Sequence, residues 1–282
     1  MRAIAERHAL PRPGADDWLD GSDVVFGLGT VAVLKLVAPP FKKEHEAEVI
    51  ALRTLSAHPE IPAPSLIARG EIEGWPYLVE TRMPGTPLGG VWRTMLDEQR
   101  RTVLVEIGAM LRRLHRVTPG GLAEVGPGWP EFLATEMAAC AERQRKWGLA
   151  AHLVDEIPSF LRSAAPLDGE ALFLHADATP GNLLVRNVGG AWHLSGLVDF
   201  GDATVGRREY DLLVPALFLA RGDAARMAAL LVGGYGYAAA DLDAVWRRRM
   251  TALSLIHRFN DMTRFLEPPY PPSLEAMDRL WT

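Results

Sequence analysis

The chain has 282 residues, of which 48% are hydrophobic and 23% charged, enough apolar material for one large domain or two lobes. The net charge of −5 excludes strong non-specific attraction to nucleic acid or anionic lipid, so we expect neither as a partner. Cys140 is the only cysteine, which excludes an internal disulfide. With no apolar run of signal-peptide or membrane-span length, we expect a cytoplasmic protein, either monomer or homodimer.

Short apolar runs separated by turn residues predict strands in the first 85 residues, at 22–29, 30–37, 65–72 and 75–83. One helix over 42–57 interrupts them, because its apolar residues recur at helical spacing. Gly27 and Gly29 superficially match a dinucleotide fingerprint. That motif requires a following helix, whereas a strand follows here, so we interpret both glycines as a hairpin turn.

The later residues predict mainly helices, at 97–117, 130–147, 151–163, 207–220, 222–233 and 240–266. The exception is 171–199, where short strands surround loops, with a hairpin centred on Gly189 and Gly190. A connector at 83–87, which contains proline and glycine, separates the strand-rich region from the mainly helical region. The sequence therefore predicts a small sheet with one helix over residues 1–84, then a larger, mainly helical lobe over 85–282.

The segment HADATPGN places His175, Asp177 and Asn182 in one loop, and Asp199 ends the next apolar run. Phosphoryl transfer to a hydroxyl needs a carboxylate that accepts the hydroxyl proton and cations on the phosphates. Asp177 is the candidate base, Asn182 and Asp199 are oxygen ligands suited to Mg²⁺, and His175 holds this catalytic loop through hydrogen bonds. The alternative is that Asp177 caps a turn and Asp199 merely ends a strand.

Lys35 lies inside the apolar run VAVLKLV, where a buried ammonium needs a counter-charge. The helix 42–57 offers Glu48, which adjoins the apolar stripe, and Glu44 as the second choice. We expect Glu48 to hold Lys35 against the α- and β-phosphates of a nucleotide. The alternative is a lysine whose head lies in solvent at a strand end.

Two segments are candidates for the remaining nucleotide contacts. The turn containing Gly21 and Ser22 precedes the first strand and can present backbone N–H groups to phosphate oxygens, although it is equally an ordinary turn. The end of the sheet, with Glu80, Thr81 and Met83, can offer a purine one backbone donor and one acceptor beside an apolar slot. An ordinary edge strand is the alternative there.

With these parts in this order, nearly the whole chain resembles the aminoglycoside phosphotransferases, relatives of protein kinases that phosphorylate small molecules. The resemblance implies an α+β, two-lobed protein-kinase-like fold with a small antiparallel N-lobe sheet. It also implies ATP, or alternatively GTP, with Mg²⁺ as cofactors, and Asp211 as a brace for the catalytic loop. This chain has HAD where the family usually has HGD, so Ala176 adds a methyl group beside the base.

Within this family, several sequence segments look most like those of hygromycin B phosphotransferases. A cationic aminoglycoside is therefore the expected acceptor, and antibiotic resistance is the expected role. A polycation requires surplus carboxylates, for which the candidates are Asp202, Glu209, Asp261 and Glu267. Ring platforms could come from Trp147, Tyr270 or Trp281. His115 and His257 are interpreted as core or cap residues. The alternatives are a metabolic small-molecule kinase and a nucleotide-binding pseudokinase.

Overall fold

The structure is a computed structural model that describes residues 1–11, 18–19, 24–164 and 167–281. Its strands are β1 (Trp18–Leu19), β2 (Val24–Leu28), β3 (Ala32–Leu36), β4 (Leu66–Ile72), β5 (Trp75–Thr81), β6 (Thr86–Pro87), β7 (Leu172–Leu174), β8 (Leu183–Val188), β9 (Ala191–Leu197) and β10 (Thr204–Gly206). Its α-helices are α1 (Arg2–Arg7), α2 (Lys42–Leu55), α3 (Leu88–Val91), α4 (Asp97–Leu114), α5 (Trp129–Trp147), α6 (Ala151–Ser163), α7 (Arg208–Pro215), α8 (Ala224–Ala228) and α9 (Ala244–Ile256). Two π-helical segments, Ala216–Ala220 and Ala229–Tyr235, continue α7 and α8.

The first lobe is an antiparallel five-stranded sheet in the order β1-β2-β3-β5-β4. Its alternating residues face opposite sides. Ile4 and Ala5 of α1 pack on one face, against Leu34 and Tyr77 among others. Lys35 follows Leu34 and therefore points to the opposite face, toward α2.

The strand predictions for this lobe are confirmed apart from the position of the first turn. Gly27 lies within β2, opposite Val33, so its predicted place in a hairpin turn is wrong. The chain reverses instead after Leu28, with Gly29 in the left-handed region at φ 61°. The strand that follows also confirms that this is not a dinucleotide fingerprint.

Helix α2 connects the two lobes through its apolar stripe. Ala51, Leu52 and Leu55 belong to the same buried cluster as Leu104 and Leu111 of α4 in the second lobe. Glu48 lies on this helix and is almost fully buried. Its position is therefore fixed by packing against both lobes.

The second lobe consists mainly of helices with a small sheet of β6, β8 and β9 and a separate pair, β7 and β10. The predicted hairpin is confirmed, with Gly189 and Gly190 between β8 and β9. Strand β6 pairs with β8 of this hairpin, with Thr86 opposite Val185. It begins only five residues after β5 ends. The two-lobed α+β fold is confirmed, while the boundary between residues 84 and 85 stays a prediction.

The last predicted helix, 240–266, is too long. Helix α9 begins where Asp243 accepts a hydrogen bond from the amide of Trp246 (2.9 Å), and it ends at Ile256. Asp261 then caps a separate short turn by accepting from the amide of Thr263 (3.0 Å). Capping side chains that compete for the backbone account for the break. Within the described residues, no helix is both long and apolar enough to cross a bilayer.

Helix α4 and the segment Ala229–Tyr235 approach so closely that Gly108 is required. A Cβ at this position would lie 2.6 Å from the amide nitrogen of Tyr235 and closer still to the carbonyl oxygen of Leu230. We expect Gly108→Ala to lower the free energy of unfolding by about 1–3 kcal/mol, measured by urea denaturation. Gly90→Ala is the control, because a Cβ there meets no atom within 4 Å. Equal effects of the two substitutions would contradict the close crossing.

Candidate active site

Lys35 is the centre of a buried charge cluster between the lobes. Its ammonium donates to Glu48 Oε1 (2.6 Å) and to Asp199 Oδ1 (3.1 Å), and Glu80 Oε1 lies 3.8 Å away. Burial alone would lower the pKa of Lys35, but the three carboxylates together raise it well above its ordinary value. The lysine is therefore charged and is held from β5, from α2 and from the end of the strand that precedes Asp199.

Glu80 takes part through its side chain, whereas the sequence suggested only its backbone. The residue is 3% exposed, and its Oε2 is buried without a hydrogen-bond partner among the described residues. Burial raises the pKa of Glu80 to about 8, despite the opposing charge of Lys35. At neutral pH Glu80 is therefore largely protonated, while burial also raises the pKa of Glu48 and Lys35 lowers that of Asp199.

The catalytic loop is fixed by hydrogen bonds from His175 to the backbone. Its Nδ1 accepts from the amide of Asp177 (3.2 Å), which leaves Nε2 as the donor to the carbonyl oxygen of Val198 (3.0 Å). Burial lowers the pKa of His175, so the ring is neutral and suited to this one-donor, one-acceptor pattern. The ring links the loop to the residue before Asp199 and has no nitrogen left for proton transfer.

Asp177 lies in this loop with its carboxylate beside Asn182. The Nδ2 of Asn182 donates to Asp177 Oδ2 (2.8 Å) and to the Asp177 carbonyl oxygen (2.9 Å). Burial, followed by the charges of Asp202 and Asp199, raises the pKa of Asp177 to about 7. A carboxylate near this value combines useful basicity with substantial ionisation at neutral pH, as a general base requires.

Asp211 braces the catalytic loop by hydrogen bonds to its backbone, the role that the family resemblance implied. Its carboxylate accepts from the amides of Ala176 and His175, the latter at 2.9 Å, and from Nε2 of His115 (3.0 Å). The other ring nitrogen of His115 is 2.8 Å from the hydroxyl of Tyr235. These bonds compensate a backbone cost, because Ala176 has a left-handed φ of 65°, which L-residues avoid by roughly 1–2 kcal/mol.

The oxygen atoms at Asn182 and Asp199 fit a magnesium ion that is shared with phosphates. The Asp199 side chain is 42% exposed, and Lys35 holds its pKa below the ordinary value, so it is an available anionic ligand. Among the described residues, no group of three or more His, Cys, Asp or Glu side chains could hold a metal. An amide oxygen and a carboxylate, completed by nucleotide oxygens, match the preference of Mg²⁺ for few protein ligands.

The end of β5 offers one unbonded donor for a purine. The amide of Thr81 donates to the carbonyl oxygen of Ser65 (2.9 Å), and that of Arg82 donates to Val31 (3.0 Å). The Met83 amide has no such bond to any described residue, so it is the N–H group of this segment that a base could use. The predicted phosphate contacts of Gly21 and Ser22 lie outside the described residues.

The four predicted substrate carboxylates lie in different environments. Glu209 is 3% exposed and pairs with Arg207 (2.8 Å) and Arg249 (3.0 Å), so the substrate role predicted for it is contradicted by its burial. Asp261 is engaged in its cap, and Glu267 is exposed. The platform prediction for Trp281 also fails, since its ring is buried and donates to Thr251 (2.9 Å).

Asp202 is the member of this set that lies beside the catalytic loop. It lines a groove, here called the Asp202 groove, that runs between α2 and the second lobe. The groove includes Ala176 and Gly201, the neighbours of the candidate base and of the metal-ligand segment. Charged and aromatic side chains also line it, among them Lys43, Glu44, Phe132 and Arg258. A hydroxyl that reaches Asp177 would therefore place the adjoining part of its molecule within reach of Asp202.

A model of the phosphotransferase enzyme family matches residues 20–250, which is most of the chain and includes the lysine cluster, the catalytic loop and both candidate metal ligands, but not Arg258. The chain belongs to this family. The predicted family and enzyme class are therefore confirmed, and the chain is a phosphotransferase.

Solved structures with the fold of this phosphotransferase share little sequence with it. The GDP complex of aminoglycoside 2'-phosphotransferase-IIIa has a TM-score of 0.72 and 16% identity, covering 93% of this chain and 90% of that chain. Aminoglycoside-3'-phosphotransferase of type VIII has a TM-score of 0.62 and 22% identity, covering 90% and 96%. Macrolide 2'-phosphotransferase MphH from Brachybacterium faecium has a TM-score of 0.56 and 18% identity, covering 90% and 89%.

Two site side chains of the phosphotransferase were missed from the sequence. The Glu80 carboxylate had a usable signal, because a charge inside the apolar run WPYLVET demands a partner, as it did for Lys35. Arg258 had no signal. Its partner Asp202 is 56 positions away, and only the folded chain brings the two together.

We expect Glu80→Gln to become more stable relative to the wild type as pH rises from about 4.5 to about 8. In this window the folded wild-type protein retains a proton on Glu80 that the unfolded chain has released, so wild-type stability falls with pH. The glutamine variant lacks that linkage. Urea unfolding at pH 5 and pH 8 measures the difference, with the exposed Glu71→Gln as control. Parallel pH profiles of wild type and Glu80→Gln would contradict the buried, protonated carboxyl.

Asp211→Asn should lower both stability and turnover. The side-chain amide nitrogen of the new asparagine would face N–H groups that now donate hydrogen bonds to Asp211. Each buried donor left without an acceptor costs about 1–3 kcal/mol. We expect a lower urea midpoint and a larger loss in kcat than in nucleotide affinity, because the brace acts on the catalytic loop. Asp223→Asn is the control, since asparagine can replace that helix cap. Wild-type turnover in Asp211→Asn would exclude the bracing role.

Proposed function

We propose that this phosphotransferase transfers the γ-phosphoryl group of ATP, with Mg²⁺, to a hydroxyl of a cationic aminoglycoside. The observation that carries the proposal is the convergence of Lys35, Glu48, Asp177, Asn182 and Asp199 from separate parts of the chain on one cleft. Each has the chemistry that triphosphate transfer needs. GTP is the alternative nucleotide, since the base-reading segment is described only by its backbone.

In the proposed reaction Lys35 binds the α- and β-phosphates, and Glu48 keeps its ammonium in place. Asn182 and Asp199 would hold Mg²⁺, which neutralises phosphate charge when bound. The acceptor oxygen attacks the γ-phosphorus while Asp177 takes the hydroxyl proton. The bond from that phosphorus to the β,γ-bridging oxygen breaks, and the nucleoside diphosphate leaves with the electron pair.

Asp177 is well arranged for its share of this reaction. The bond from Asn182 directs one carboxylate oxygen, and the His175 ring fixes the backbone on the other side. This positioning leaves little reorganisation for the moment of transfer, which is where most of the catalytic effect in phosphoryl transfer arises.

An aminoglycoside is the first choice of acceptor for two reasons. Carboxylates from Asp202 and Glu44 line the groove beside the base, which suits ammonium groups. Aminoglycoside phosphotransferases also recur among the proteins with this fold. Hygromycin B is the most specific acceptor that we propose, because several sequence segments resemble those of hygromycin B phosphotransferases. A macrolide is the second candidate, favoured by the similarity to the macrolide enzyme.

The test combines an acceptor panel with one substitution. ADP release is measured with Mg²⁺ and ATP in the presence of hygromycin B, kanamycin A or erythromycin. For the accepted compound, Asp177→Asn should lower kcat by about 10²–10⁴-fold while ATP affinity stays nearly unchanged, because the lost group acts mainly in the transition state. Asp243→Asn removes a carboxylate from an exposed helix cap and should leave both values intact. Stimulation by erythromycin alone, or by none of the three, would overturn the aminoglycoside assignment.

A further inference from the structure

Arg258 lines the Asp202 groove together with Ala176, the neighbour of the candidate base. Its Nη2 donates to Asp202 Oδ1 (2.8 Å), and Asp202 lines the same groove. The preceding residue, His257, contacts the carbonyl oxygen of Ala176 (3.3 Å), so this part of the chain is anchored to the catalytic loop. A cation supplied by the protein thus pairs with a groove carboxylate whose charge also acts on the candidate base Asp177.

The guanidinium of Arg258 is held loosely enough to leave. Its side chain is 41% exposed and that of Asp202 is 24% exposed, so water screens the pair and its contribution to stability is small. Arg258 also lies 5.2 Å from the ring centre of Phe259 and 5.9 Å from that of Phe132. These rings can keep the guanidinium stabilised after it releases Asp202.

The charges around the groove favour a cationic replacement over an anionic one. Glu44 and Asp202 line it, and Asp177 and Asp199 adjoin it at the catalytic end. Lys43 and Arg258 are the cations among the lining residues. An anionic acceptor would have to approach four carboxylates, whereas an ammonium group could replace the guanidinium without changing the net charge.

Resting on the function proposed above, in which carboxylates of the groove receive ammonium groups of the acceptor, we propose that Arg258 is the internal stand-in for such an ammonium group at Asp202. An acceptor with an ammonium group close to the reacting hydroxyl displaces Arg258 from Asp202 toward Phe259. The exchange selects amino-bearing polyols, because a neutral acceptor cannot replace the lost ion pair. Arg258 is therefore a specificity-determining residue that releases Asp202 only to a cationic ligand.

Removal of the stand-in should improve binding of cationic acceptors. We expect Arg258→Gln to tighten the Kd for hygromycin B or kanamycin A by about two- to fivefold, the range open to an exposed ion pair. KM for the accepted aminoglycoside should fall with it. Arg258→Lys keeps the cation and should behave as the wild type, whereas Asp202→Asn should weaken binding. Isothermal titration without nucleotide gives the Kd values.

Two controls isolate the subsite. Arg248→Gln removes an arginine of matching surroundings elsewhere, paired with Glu275 and 4.5 Å from the ring centre of Phe160, and should change none of these constants. Kanamycin A with all amines acetylated carries no charge and should gain nothing from Arg258→Gln. Equal tightening for the acetylated compound would show that the substitution merely opens space, and would overturn the stand-in role.

Failure of this proposal differs from failure of the proposed function. If an aminoglycoside stimulates ADP release but Arg258→Gln leaves its Kd unchanged or weakens it, the stand-in role is wrong and the function stands. A weakened Kd would assign Arg258 to direct contact with the acceptor. If neither aminoglycoside binds or stimulates release, both proposals fail.

Discussion

The buried ammonium of Lys35 is the interaction on which the rest of this structure depends. A lone charge inside an apolar sheet is costly, so its carboxylate partners must be brought to it and kept there. Glu48 arrives on a helix that packs against the second lobe, and Asp199 arrives from that lobe itself. The compensation of one charge therefore links the two lobes across the cleft between them.

The catalytic loop also depends on a buried charge that must be compensated. Here the charge is a carboxylate, and backbone N–H groups compensate it. Asp211 is completely buried and is satisfied by N–H groups of His175 and Ala176 and by His115. Its bonds support a left-handed conformation at Ala176, and Asp199 has a similar φ of 68°. Strained backbone at both the base and the metal-ligand segment persists because the surroundings over-determine it. The site is thus preorganised before any ligand binds.

The two ends of the cleft differ in how firmly they are built. The nucleotide end is made of buried, multiply bonded groups such as Glu48, whose Oε1 also accepts from the amide of Phe200 (3.2 Å). The proposed acceptor end, at Asp202 and Arg258, is partly exposed and held by an ion pair that water screens. A common phosphoryl donor requires a constant site, while acceptor choice can vary through loosely held side chains without loss of the catalytic core.

The sequence by itself determined the order of elements and the candidates for the reacting groups. Lys35 and Glu48 could be paired because a lysine in an apolar run needs an acid, and the spacing of Asp177, Asn182 and Asp199 carries its own chemistry. Tertiary structure alone decided which charges face the cleft. Glu209 and Asp202 are equivalent as sequence, yet one is locked between two arginines and the other lines the groove. The reason is physical: local patterns depend on neighbours along the chain, whereas burial and charge pairing depend on residues far apart in it, such as Asp202 and Arg258.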